Sequence, residues 1–191
     1  MTLFDVWSER RGANTLAMNL FLIVAGSILM TLSAKVQVPF YPVPLSMQTF
    51  VAIGLGLALG PVRGAAAILA YLAQGAAGLP VFAGTPQQGI GLAYMAGPTG
   101  GYLVGFVVAA VVAGVLARLG WDRNPVSAMA AALIAGASVY VTGLAWLGTF
   151  VGYGETLLVA GLYPFIPGDI AKALLAAIVF PAVWKWAASR G

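Results

Sequence analysis

The sequence predicts an all-α integral membrane protein: one domain over residues 1–191, folded as a bundle of about six spanning helices. Three observations predict it. Hydrophobic residues make up 61% of the chain and charged ones only 7%, whereas a soluble domain carries about 25% charged residues. The apolar residues form runs of helix-spanning length, broken by glycine and proline. The basic residues sort to alternate connections between those runs.

The first span runs over about 16–34, behind a short leader that carries Asp5 and Glu9. Asn14 and Thr15 stand at its start, and Lys35 follows its end. Pro39, Pro42 and Pro44 then force irregular or extended backbone. The second span, 43–59, ends at the turn-forming pair Gly60–Pro61. The third, 63–77, is also short and rich in Gly and Ala, which lets helices approach closely. Arg63 argues for two thin or tilted spans over one re-entrant hairpin, because a charge at membrane depth costs at least ~2.5 kcal/mol.

From Gly75 to Gly101 the chain has no charged residue and is rich in glycine, with Gln87, Gln88 and Tyr94 among its polar groups. Such a segment suits backbone that folds against a bundle and lines a protected site. The fourth span covers about 101–119, the fifth 126–147 and the last 168–186. A turn with Asp122, Arg123 and Pro125 separates the fourth from the fifth, and a short helix near Glu155 precedes the last.

With both termini cytoplasmic, Arg10, Arg11, Arg63, Arg118, Arg123, Lys185 and Arg190 all fall on the inner side. Only Lys35 falls on the outer side, while Lys172 stands near the start of the last span. That bias supports an even number of crossings. Trp7, Trp121, Trp184 and Trp186 sit near the inner boundary, as an aromatic belt does. The scattered basic residues form no aromatic-interleaved patch, so membrane lipid, not nucleic acid, accounts for the net charge of +4.

The chain has no histidine and no cysteine, which removes imidazole bases, thiolates and the commonest metal ligands. No catalytic set, metal site or phosphate-binding loop is visible. The residues that carry chemistry are Asp169 and Lys172, three apart and hence on one helix face at the mouth of the last span. Two readings of the pair stand open on residues alone. It contacts a ligand, Lys172 offering charge and donors and Asp169 accepting N–H groups. Otherwise Asp169 caps the helix while Lys172 snorkels outward. Gln48, Thr49, Tyr71, Gln74, Gln87, Tyr94 and Tyr102 all fall toward the outer half, which points to one polar cavity there.

Four blocks then carry a specific likeness: VPFYPVPLSMQTF, LGPVRGAAAILAYLAQGAAGLPVF, LAYMAGPTGGYLVGF and LYPFIPGDIAKALLAA. They cover most of residues 36–185, and together the chain resembles the BioY family, the biotin-binding S components of energy-coupling factor (ECF) transporters. The resemblance implies a six-helix S component in the cell membrane. It implies one biotin bound near the outer face and no ATPase activity or cofactor of its own. Energy would come from a transmembrane coupling protein and two ATP-binding cassette ATPases, although some members occur without a dedicated coupling module.

Residue by residue, the resemblance puts Asp169 and Lys172 of the GDxxK block on polar ends of the ligand, and leaves open which one faces the carboxylate. Gln48 and Tyr71 match polar and aromatic positions, Phe82 would pack on the apolar ring and chain, and Tyr102 would line the opposite wall. Gly97, Pro98, Gly100 and Gly101 would shape the backbone before the fourth helix, by close approach or positive φ. Contact with the coupling protein would use small residues of the first helix. Here that pattern is broken: Ala13 and Ala17 sit at the membrane edge, and Gly26 is followed four residues later by Met30.

Overall fold

The computed structural model describes residues 2–11 and 16–189. Ala13, Asn14, Thr15 and Arg190, and the side chains of Arg10 and Arg11, lie outside the described residues. The fold is helical: α1 (Leu3–Arg11), α2 (Leu16–Lys35), α3 (Gln48–Ala76), α4 (Gly91–Met95), α5 (Gly100–Arg118), α6 (Pro125–Val151), α7 (Glu155–Gly161) and α8 (Ile166–Ser189). Five of these, α2, α3, α5, α6 and α8, are long and apolar enough to cross a membrane. Their outward faces present Leu20, Phe21, Val24 and Ile28 of α2, Val141 of α6 and Ile178 of α8. Such surfaces belong in lipid.

The proline-rich stretch after α2 forms two short strands, β1 (Gln37–Val38) and β2 (Leu45–Ser46), paired antiparallel with Gln37 opposite Ser46. The helix expected from residue 43 therefore starts only at Gln48. The ladder claims Leu45 and Ser46 first, and Pro44, with no N–H, suits extended backbone better than helix.

The expected second and third spans form one 29-residue element, α3, with a break at Gly60 (φ 85°, ψ 174°) ahead of Pro61. This is positive-φ backbone that favours glycine. The break reverses the chain. Gln48 and Tyr71 would stand about 34 Å apart on a straight helix, yet their side chains meet at 2.8 Å. A Cβ added at Gly64 would sit 3.0 Å from the Gly56 backbone. α3 is thus a hairpin of two limbs packed backbone to backbone. α5 lies across it just as closely: a Cβ at Gly114 would stand 2.3 Å from Pro61 N, and one at Gly56 2.3 Å from the Ala110 carbonyl oxygen. Small residues make this contact possible.

Charged groups gather at the hairpin's tip. Arg63 Nη1 pairs with Asp5 of α1 at 3.1 Å. Its Nε donates to Asn19 at 2.8 Å, and its guanidinium lies 4.4 Å over the Phe4 ring. Burial alone would raise the Asp5 carboxyl, but hydrogen bonds from Thr2 and the Arg63 partner outweigh it and hold the group below its ordinary value. At this same end Trp184 of α8 donates to the fully buried Asp122 at 2.6 Å, and Arg123 stacks 4.7 Å over the Trp184 ring.

Candidate ligand-binding site

At the opposite end of the bundle the first limb of α3, α6, and the start of α8 diverge around a cavity of about 220 Å³. Ile53, Leu133, Gly136, Ala137, Leu162, Ile166 and Ile170 give it apolar walls. Thr49, Tyr140, Asp169 and Lys172 supply the polar groups. A narrower compartment of about 30 Å³ shares Thr49, Gly136, Tyr140 and Lys172 with it and reaches on to Ser46, Gln48, Tyr102 and Phe165. The two together form a mostly apolar recess with a few convergent polar groups, the usual make-up of a small-molecule site.

The polar cluster is built locally. Asp169 lies in the first turn of α8, where the helix dipole favours a negative charge. One turn on, Lys172 donates to Asp169 Oδ1 at 3.3 Å, and Tyr140 from α6 donates to Oδ2. The Lys172 and Asp169 side chains are only 14% and 16% exposed, so both belong to the cavity wall and not to an outer surface. Snorkelling by Lys172 does not occur in this arrangement.

Gln48 is held in one orientation. Its Nε2 donates to Tyr71 Oη at 2.8 Å, and its Oε1 accepts from Ser46 at 3.1 Å. Tyr102 reaches the narrow compartment from α5, donates to the Gly161 carbonyl at 2.8 Å, and stacks on Phe165 at 6.1 Å.

Tyr71 and Phe82 line neither compartment. Both are fully buried one layer behind Gln48, ring edge to ring face at 5.4 Å, and Phe82 also stacks on Tyr94 at 4.9 Å. Gln87 is exposed at the surface of the segment after α3. Among the shaping residues, Gly100 and Gly101 serve close approach: an added Cβ would stand 2.0 Å from the Met95 carbonyl oxygen and 2.4 Å from that of Thr142. None of Gly97, Gly100 and Gly101 has positive φ. The Gly97 carbonyl accepts from Trp146 Nε1 at 2.8 Å, which ties the segment around Pro98 to α6. Sequence reasoning missed Tyr140 and Phe165. Tyr140 is one of several hydroxyls in an apolar span, with Ser138 and Thr142 beside it, and only its partner Asp169 distinguishes it.

The BioY family profile matches residues 8–189 of this chain. The chain belongs to the BioY family. It is 42% identical over 151 residues to the probable biotin transporter BioY of Pyrococcus horikoshii, covering 79% of this chain and 86% of that one. It is 38% identical over 169 residues to the biotin transporter BioY of Rhizobium etli, covering 85% and 89%. Among solved structures it resembles the S-component for biotin from an ECF-type ABC transporter, with a TM-score of 0.77, 27% identity, and coverage of 88% and 92%. As a BioY chain with five helices of membrane-crossing character, it is a multi-pass membrane protein.

Proposed function

We propose that this protein captures biotin at the outer face of the cell membrane, as the substrate-binding subunit of an ECF-type vitamin transporter. The observation that carries the reading is the apolar recess closed at one side by Lys172, Asp169 and Tyr140, in a chain of the BioY family. The ligand's chemistry fits such a recess. Its thioether ring and alkyl chain match the aliphatic walls. Its ureido N–H groups and carbonyl, and its carboxylate, call for the acceptors and donors that Asp169, Tyr140 and Lys172 supply. A cavity of about 220 Å³ is smaller than the ~300–1,000 Å³ typical of drug-sized ligands and suits a compact vitamin.

The topology belongs to the same proposal. Each limb of α3 makes its own crossing, so that six crossings leave both termini cytoplasmic. The Arg63 cluster at the hairpin tip supports it, since Asp5, Arg63 and α1 share an end with Arg123. Nothing in the site performs bond-breaking chemistry. Energy comes from separate subunits, a transmembrane coupling protein and two ATPases, and this chain hydrolyses nothing.

The test is equilibrium binding of biotin to the purified, detergent-solubilised chain beside Lys172→Ala and Asp169→Ala. Saturable one-to-one binding is expected, weakened at least tenfold, or about 1.4 kcal/mol, in each folded variant. Well-folded wild-type protein that ignores biotin would overturn the assignment.

A further inference from the structure

Lys35 is the one basic residue that the charge pattern leaves on the outer side, and the site described above makes no use of it. It ends α2 and sits where a lysine commonly faces the last carbonyls of its own helix. Its ammonium goes elsewhere. Nζ donates to the carbonyl oxygens of Pro80 at 2.7 Å, Phe82 at 3.0 Å and Thr85 at 3.2 Å, and lies 3.1 Å from Thr85 Oγ1. Four acceptors from one short segment surround a single cation, and among the described residues no carboxylate pairs with it. The segment needs a donor of this kind because, among the described residues, its turn leaves the Pro80 and Thr85 carbonyls without backbone partners and gives that of Phe82 only the Thr85 N–H at 3.4 Å. The Phe82 carbonyl also accepts from Thr85 Oγ1 at 2.6 Å, which adds a side-chain hold on the same backbone.

From that grip a continuous set of contacts leads to the cavity. The Phe82 ring is fully buried and lies so close over Gly75 that a Cβ there would be 1.9 Å from Phe82 Cζ. It meets the Tyr71 ring nearly at right angles, and the Tyr71 hydroxyl donates to the Val81 carbonyl at 3.4 Å and accepts from Gln48 at 2.8 Å. Gln48 lines the narrow compartment beside Lys172. The two residues that bear on Tyr71, Val81 and Phe82, belong to the stretch whose carbonyls Lys35 holds.

We infer that Lys35 is a positioning residue for the cavity: by caging its ammonium among the carbonyls of Pro80, Phe82 and Thr85, it seats Phe82 and Val81 against Tyr71 and so fixes Gln48 in the orientation a ligand meets. The inference rests on the biotin reading for its ligand. It does not rest on it for the segment's order. On that reading Lys172 meets the ligand directly, and Lys35 acts through Gln48 without lining either compartment.

The test combines a ligand-free and a ligand-bound readout on the full chain. Lys35→Met keeps the stem and removes the donors; Thr85→Val is a second variant that keeps the ammonium and its three carbonyls but removes the Thr85 hydroxyl, both as an acceptor for Lys35 and as a donor to Phe82. Amide hydrogen exchange of residues 79–88 in the ligand-free protein should rise at least tenfold in Lys35→Met and less in Thr85→Val. Biotin affinity should fall about tenfold in Lys35→Met, through faster dissociation. The same substitution made in a Gln48→Ala background should cost little further affinity, because its effect travels through Gln48. Unchanged exchange and affinity in Lys35→Met would overturn the inference, and so would full additivity with Gln48→Ala. If wild-type protein fails to bind biotin while Lys35→Met still loosens residues 79–88, the ligand assignment falls and the seating of Val81 and Phe82 by Lys35 stands.

Discussion

Gly136 offers the sharpest test of where a ligand sits. It lies in the middle of α6, lines both compartments, and the nearest atom to a Cβ added there is Ile53 Cδ1 at 3.8 Å, an ordinary contact distance. A side chain at this position therefore grows into empty space. Leu adds four carbons; at about 30 Å³ each, taking a water-sized share, they fill roughly 120 Å³, more than half of the 220 Å³ cavity. Gly136→Leu should thus weaken biotin binding more than 100-fold, or about 2.7 kcal/mol. Folding should not suffer, because replacing an interior helix glycine gains up to ~1 kcal/mol of helix propensity. Gly136→Ala adds one carbon and should bind like wild type with an equal or higher Tm. Isothermal titration and thermal melts of the detergent-solubilised variants read both quantities. Wild-type affinity in Gly136→Leu would refute the placement of the ligand, and an unfolded Gly136→Ala would refute the open space itself.

Further outcomes follow from other contacts. Gly114→Ala forces a methyl to within 2.3 Å of Pro61 N, rigid backbone, and should destabilise the protein by at least ~1–3 kcal/mol in a detergent melt. Burial pushes the Asp122 carboxyl above its ordinary value, and the hydrogen bond from Trp184 offsets this only in part. An acid with a raised folded-state pKa favours the fold below the ordinary carboxylate range and loses that contribution as pH rises through the raised value. Asp122→Asn keeps an acceptor for Trp184 without the charge, so it should raise Tm on the order of 2–4 °C near neutral pH and change little near pH 4. A chain with no cysteine suits single-site labelling. Val62→Cys at the exposed hairpin tip should react with an impermeant reagent from the same side as Leu119→Cys and from the side opposite Gln88→Cys; labelling of Val62→Cys from neither side would point to a re-entrant hairpin.

Features that a linear pattern encodes were legible in the sequence. The apolar runs overlap the long helices, and Gly60–Pro61 announces the reversal because only glycine takes that backbone easily and proline has no N–H to continue a helix. Asp169 and Lys172 were legible because ionisable residues in an apolar span are costly and their spacing puts them on one face. Depth in a layered wall was not legible. Tyr71 and Phe82 have the composition of ligand contacts, but which layer they occupy depends on Gly75 having room beneath the Phe82 ring, a fact of three-dimensional packing. Gln87 shared the outer end with the cavity without sharing its surface. The two-residue strands escaped notice because a stretch dense in proline carries no alternating pattern to read.

The hairpin's shortness has a consequence for depth. From Gln48 to Leu59 the first limb climbs only about 18 Å, at 1.5 Å per residue. Beside it, α6, with 27 residues, rises about 40 Å. The short limb beside the taller α6 ends partway up it, and the cavity lies where the two share its lining. Thr49 and Ile53 of the short limb line it from one side, and Tyr140 of α6 and Lys172 of α8 from the others. A solute that settles there has left bulk water before it touches a charge, in surroundings where hydrogen bonds and ion pairs are stronger than in water and an unmatched polar group is heavily penalised. On the biotin reading, such a cavity would favour molecules with little to lose on desolvation, and a hydrated ion would meet a cost there that Lys172 alone does not offset.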